Sequence, residues 1–141
     1  MRRRVFLDTN IFIYAFEFPG CNSDKIIDLL NRGQIEAVIS ERVLREVQAY
    51  FKKFYSKDLA ANFRDYLLKT CSVILSADVK KEMAKYKKLI KDKDLEQLAV
   101  VKKLGIKFLV AYDRDFENFE EYITPNAFIK ELAIKLASSD Y

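Results

Sequence analysis

The chain has no histidine and no tryptophan, and only three glycines, two prolines and two cysteines among 141 residues. The missing histidine excludes the most. It removes the usual general base, the Ser-His and Cys-His nucleophile systems and imidazole metal ligands, so any catalysis must run on carboxylates, lysines, hydroxyls or a bound metal. The two cysteines, Cys21 and Cys71, lie far apart without a partner motif, and neither a disulfide framework nor a thiolate zinc site is expected. So few glycines and prolines, with no low-complexity run or internal repeat, leave no linker, and one domain over residues 1–141 is expected. The turn after the first apolar run has no glycine to cradle phosphates, which argues against dinucleotide or nucleoside-triphosphate binding. That run stops at Asp8, too soon after the basic tip Arg2, Arg3 and Arg4 for a signal peptide or a membrane helix. A cytoplasmic protein with no membrane partner is expected.

What is present is apolar mass and lysine. Half of the residues are hydrophobic and 13% are aromatic, enough to bury a substantial core at this length. Short apolar runs predict buried strands at residues 5–7, 37–39, 73–75 and 108–111, with a weaker candidate at Tyr122 and Ile123. Helical spacing fills most of the intervals. Ile26, Ile27, Leu29 and Leu30 form one face; Val43, Leu44, Val47, Tyr50, Phe51 and Phe54 a second; Leu59, Phe63, Tyr66 and Leu67 a third. Met83, Tyr86 and Ile90 predict a further helix, and residues 95–104 another that stops at Gly105. The last apolar face, Phe128, Ile129, Leu132, Ile134 and Leu136, follows Pro125. Strands alternating with helices imply right-handed crossovers and a central parallel sheet covered on both faces, an α/β protein built as a three-layer α/β/α sandwich.

The acids carry the chemistry. Val5-Phe6-Leu7 ends at Asp8-Thr9-Asn10, and the run ending in Ala111 and Tyr112 delivers Asp113 in the same way, so both carboxylates belong to the carboxyl edge of the sheet. If their strands are neighbours where strand order reverses, the two converge on one crevice. Glu46, on the helix after Ser40, and Asp94, opening the helix that runs to Leu104, can join them. Simpler roles exist for each: Asp8 as a helix cap, Asp94 with Gln97 as a capping box, Glu46 as a solvated side chain. Together they are harder to explain that way. Two carboxylates ~5 Å apart repel by roughly 3 kcal/mol at an effective dielectric near 20, so a cluster of three or four needs a counter-charge or raised pKa values. With no histidine to bind a softer metal, hard oxygen ligands point to Mg²⁺ or Mn²⁺.

The ordered set Phe6-Leu7-Asp8-Thr9-Asn10-Ile11-Phe12, Ser40 with Glu46, Asp94-Leu95-Glu96-Gln97-Leu98-Ala99, Asp113-Arg114-Asp115-Phe116 and Thr124-Pro125-Asn126-Ala127-Phe128 resembles the PIN domain over nearly the whole chain. The resemblance, to the VapC-like toxins in particular, implies a metal-dependent endoribonuclease acting on single-stranded or structured RNA, the toxin half of a type II toxin–antitoxin pair. It implies Asp8, Glu46, Asp94 and Asp113 as metal-binding and catalytic acids, supported by Thr9, Asn10, Ser40 and Asp115. Asp92 competes with Asp94, and Glu41 with Glu46, as the weaker member of each pair. One departure stands out: relatives of this type often carry Thr or Ser two positions before the last acid, where this chain has Ala111 followed by Tyr112.

The net charge of +4, with 25 basic against 21 acidic residues, fits an RNA partner without requiring one. Arg114 is the nearest candidate to hold RNA, and the lysines between residues 80 and 93 are the largest reservoir of positive charge. Phe12, Tyr14, Phe16 and Phe18 suit a core, a homodimer interface or a docking site for a small antitoxin. Two alternatives remain: a non-catalytic PIN-fold domain that binds RNA or scaffolds, and a phosphotransferase with Asp8 as nucleophile. The second wants another Asp two residues on, and that position is Asn10.

Overall fold

The computed structural model describes residues 3–139, with side chains as far as residue 133. Arg2 and the side chains of Ile134 and Leu136 lie outside the described residues. In chain order the elements are β1 (Arg3–Leu7), α1 (Thr9–Glu17), α2 (Asn22–Asn31), β2 (Ile35–Ser40), α3 (Glu41–Phe54), α4 (Lys57–Thr70), β3 (Cys71–Ile74), α5 (Lys80–Tyr86), α6 (Asp92–Leu104), β4 (Phe108–Val110), β5 (Tyr122–Ile123) and α7 (Pro125–Ser139). Single 3₁₀ turns precede α5, at Ser76–Val79, and follow β4, at Arg114–Phe116.

The five strands form one parallel sheet in the order β3-β2-β1-β4-β5. β1 is central because it is the least able to meet water: Val5, Phe6 and Leu7 have no exposed surface. From β1 the chain steps outward through β2 to β3, then returns to the other side of β1 for β4 and β5. Right-handed crossovers put α1 to α4 on one face, and the reversal puts α5 and α6 on the other. This is the expected three-layer α/β/α sandwich. The register places Leu7 beside Val110, so β1 and β4 end together at the point where strand order reverses.

Aromatic side chains join the helices of the first face. Phe51 of α3 stacks on Phe63 of α4 with centroids 4.0 Å apart, and Phe16 of α1 stands edge-on to both. The residues from Phe12 to Phe18 thus divide by helical position. Phe12 enters the core, whereas Phe16 and Phe18 stay exposed. Between α1, α2 and α4 lies a groove of about 290 Å³ whose walls include Phe12, Ala15, Phe16, Ile27, Leu59 and Phe63.

The helices are bounded locally. The Ser40 and Ser56 hydroxyls accept from the N–H groups of Val43 and Leu59 and cap α3 and α4. α6 ends at Gly105, which has φ +64° with open space where a Cβ would be. Gly105→Ala is therefore expected to cost about 1 kcal/mol through the left-handed backbone alone, read as a lower urea midpoint with an unchanged slope. One expected helix is shorter than its spacing suggests. α5 stops at Tyr86, and Leu89 N–H bonds Tyr86 O in a turn. Ile90 still packs against the core from that turn, which satisfies its apolar side chain without another helical repeat. No helix among the described residues is long and apolar enough to cross a membrane.

Candidate active site at the carboxyl edge

Asp8 leaves the end of β1 with its own N–H bonded to Val110 O at 3.1 Å, which fixes it over the junction with β4. It occupies the N-cap position of α1, but its carboxylate makes no cap hydrogen bond. The side chain is turned to other acids instead. Burial chiefly, with the charges of Glu46 and Asp94 behind it, pushes the Asp8 carboxyl up to about 6, against the opposing pull of the Thr9 N–H and the Gln97 side chain. Glu46 reaches this edge from α3, just over a turn beyond the Ser40 cap. Its Oε1 accepts from Thr9 Oγ1 at 2.8 Å, so the residue after Asp8 orients the second acid.

The first turn of α6 supplies the deepest carboxylate. Asp94 is only 4% exposed, whereas Asp92, its rival from the sequence, is exposed. The N-cap of α6 is Lys91, and Gln97 Nε2 donates to Lys93 O at 3.2 Å, so the capping-box role for Asp94 and Gln97 is not what the structure contains. Asp94 instead joins Asp113 and Asp115, with oxygens of all three within 4.8 Å of one another. The 3₁₀ turn after β4 makes this possible: Asp113 Oδ1 accepts the Asp115 N–H at 2.9 Å, which folds Asp115 back beside it.

A cation already lies among these acids. Lys93 Nζ is 2.9 Å from Asp94 Oδ2, 2.5 Å from Asp113 Oδ2 and 3.2 Å from Asp115 Oδ2, and Lys91 Nζ approaches Asp115 at 3.3 Å. Its influence on the two deeper acids differs. Burial raises the Asp94 carboxyl more than Lys93 lowers it. For Asp113 burial also pushes upward, but the Lys93 ammonium and the Asp115 N–H outweigh it and hold the carboxyl below its usual range. Burial works against the charge on Lys93, and its three carboxylate partners more than compensate, so its pKa is raised.

The four expected acids thus fall into two adjoining groups. Asp94 and Asp113 share a cluster with Asp115, while Asp8 lies within electrostatic reach of both Asp94 and Glu46 and links the two groups. The remaining expected residues are placed more loosely. Ser40 is fully buried as the cap of α3, Asn10 is exposed on the first turn of α1, and Arg114 is exposed on the 3₁₀ turn. Glu41 is occupied elsewhere, accepting from the Ser76 N–H at 3.0 Å and paired with Arg45. Where relatives often carry a hydroxyl, Ala111 is buried, and Tyr112 turns toward α2 with its hydroxyl 2.7 Å from Ser23 Oγ.

Three residues of this edge had no part in the site expected from the sequence: Lys93, counted only among the lysines, Glu96, and Gln97, considered only as a capping partner of Asp94. Glu96, 6% exposed, accepts from Arg42 N–H at 2.7 Å and from Ser76 Oγ at 2.5 Å, tying α6 to the start of α3 and to the turn after β3. The Gln97 side chain favours the ionised Asp8 carboxylate by hydrogen bonding, while its Oε1 is buried and unpartnered. The available signal was polar residues inside an apolar stretch, since every residue from Asp94 to Val101 is buried.

The solved structures this chain resembles share its fold at low identity. A toxin–antitoxin complex from Klebsiella pneumoniae is 20% identical with a TM-score of 0.65, over 86% of this chain and 97% of that one. VapBC2 of Rickettsia felis, bound to a DNA fragment from its promoter, is 21% identical with a TM-score of 0.59, over 86% and 96%. VapC20 of Mycobacterium tuberculosis, described as a sarcin-ricin loop cleaving toxin, is 20% identical with a TM-score of 0.60, over 81% and 93%. No curated protein sequence matches the chain. The family comparison is decisive, because the PIN domain matches residues 4–115, from the first strand through the last acid of the cluster. The chain belongs to the PIN domain family.

Proposed function

We propose that the protein is a divalent-metal-dependent endoribonuclease, the toxin component of a type II toxin–antitoxin pair acting on single-stranded or structured RNA in the cytoplasm. The observation that carries this reading is the convergence of Asp94, Asp113 and Asp115 around a cation, with Asp8 and Glu46 alongside. The donor set fits Mg²⁺ or Mn²⁺: it consists of carboxylate oxygens without a sulfur or imidazole, and it already accommodates positive charge in an ammonium group. Asp8, Glu46, Asp94 and Asp113 are the proposed ligands and catalytic acids, with Asp115 completing the cluster.

When bound, the metal supplies a water of lowered pKa and neutralises charge building on the phosphate. The chain supplies position and proton handling. Thr9 fixes Glu46, the Ser40 cap fixes the helix that carries it, and Asn10 stands at the rim. Asp8, with a carboxyl raised to about 6, is suited to exchanging a proton near neutral pH. Arg114 and the exposed lysines Lys87, Lys88 and Lys91 are suited to the RNA backbone. The apolar groove beside Phe16 suits an amphipathic helix of an antitoxin, and exposed Phe18 a second copy of the chain. The structural neighbours that are toxin–antitoxin complexes support the pairing.

The test uses the purified protein, separated from any co-purifying partner, with a labelled RNA pool. Cleavage is expected with Mn²⁺ or Mg²⁺ and is expected to stop in EDTA. RNA left intact at millimolar Mn²⁺, or cleavage indifferent to EDTA, would overturn the proposal.

A further inference from the structure

Lys93 stands where helix physics disfavours it. It is the second residue of α6, at the positive end of the helix dipole, where acids are stabilised and cations are not. Adjacent helical residues also do not face one another, so reaching Asp94 at 2.9 Å requires the Lys93 stem to bend back over the first turn. It does so to place Nζ among three carboxylates from two elements, and the same atom is 2.5 Å from Asp113 and 3.2 Å from Asp115. Lys91, the N-cap residue two positions earlier, reaches Asp115 at 3.3 Å but no other acid of the cluster.

We infer that Lys93 is a built-in counter-cation of the carboxylate cluster, and that a divalent ion binds by displacing its ammonium group. The inference rests on the metal-site reading above and adds a competitor to it. Without metal, three carboxylates this close repel strongly, and Lys93 neutralises part of that charge so the edge assembles. The ammonium and a divalent ion seek the same oxygens, so they exclude one another. Displacement is feasible because, among the described residues, these ion pairs are what anchors the side chain, which is 49% exposed, with solvent to swing into. The released ammonium would then stand at the rim, so metal uptake would also deliver a positive charge to the surface that receives RNA phosphates.

Calorimetric titration with Mn²⁺ of the wild type, Lys93→Met, Lys93→Arg and Lys91→Met, each also melted in EDTA, tests the idea. Lys93→Met is expected to bind Mn²⁺ at least about tenfold more tightly than wild type, the scale of a few half-exposed ion pairs no longer broken on binding. In EDTA the same variant is expected to melt at a lower temperature than wild type, and saturating Mn²⁺ is expected to raise its melting temperature by more. Lys93→Arg keeps the charge and is expected to behave as wild type, and Lys91→Met to change affinity by only a few fold. Wild-type Mn²⁺ binding with equal or weaker binding by Lys93→Met would overturn this inference and leave the metal site standing. Absence of Mn²⁺ binding by every protein would overturn both.

Discussion

Asp8→Asn is expected to lower metal-dependent RNA cleavage by more than about 100-fold while making the metal-free protein more stable at pH 7. The loss of activity follows from its position. If changing a group behind a ligand commonly costs 10- to 100-fold, then removing Asp8, a ligand or proton-exchanging group in the proposed reaction, should cost at least the upper end of about that range. The gain in stability follows from the same burial that makes Asp8 useful. Its carboxyl is raised from 3.8 to about 6, first by burial and then by Glu46 and Asp94. A carboxyl raised on folding favours the fold when protonated; that contribution is fully present below pH ~4 and is lost as pH climbs through ~6. At pH 7 the folded protein therefore holds an ionised Asp8 at a cost. A shift of about two units corresponds to ~3 kcal/mol, and partial exposure brings the working figure to about 2 kcal/mol.

Thermal or urea unfolding in EDTA at pH 7 and pH 4 measures this directly. The Asn variant should be the more stable protein at pH 7, and its advantage should shrink at pH 4, where the native carboxyl is protonated. A variant less stable than wild type at pH 7 would show that Asp8 is not under electrostatic strain. Full cleavage activity would remove it from the site altogether. Divalent ions should repeat the pattern in reverse, stabilising the wild type more than the variant because only the wild type offers the carboxylate. Their affinity should weaken as pH falls below ~6, as protons compete for Asp8.

How much of this was legible in the sequence depends on the range of the interactions. β1 could be read because Val5, Phe6 and Leu7 are wholly apolar and stop at Asp8, and a buried parallel strand has no other signature. The stop at Gly105 is a local signal of backbone conformation, so it too was readable, whereas Ser40, expected to support the site, caps α3 instead. The carboxyl edge was inferred from two strand ends, and the pairing of β1 with β4 makes those ends neighbours. The alliances around the acids were not readable. Asp115 looked like a supporting residue until the 3₁₀ turn folded it against Asp113. Lys93 was one lysine in a run that reads as a solvated helix face, and only the approach of β4 to the start of α6 shows what it touches. Glu96 bonds residues 54 and 20 positions away, a relation that no periodicity records.

Glu96→Ala is expected to destabilise the protein by about 3 kcal/mol, because it strips a buried acceptor from two donors at once. The Arg42 N–H and the Ser76 hydroxyl both point at this carboxylate, which is itself only 6% exposed. The charge also complements the positive end of α3, whose first turn contains Arg42. Loss of Glu96 thereby loosens the helix that carries Glu46, whose bond to Thr9 spans from α3 to the start of α1. Activity should therefore fall even at temperatures where the variant is fully folded and Mn²⁺ is saturating, although Glu96 touches no member of the carboxylate cluster. Glu96→Gln keeps one acceptor oxygen and should lose only about 1 kcal/mol, with most of the activity retained. Urea unfolding of both variants, followed by cleavage assays well below their midpoints, separates scaffold from chemistry. An alanine variant within 1 kcal/mol of wild type would remove Glu96 from the scaffold. A stable but inactive glutamine variant would instead place its charge in the proposed reaction, making the negative charge at the start of α3 more than scaffold.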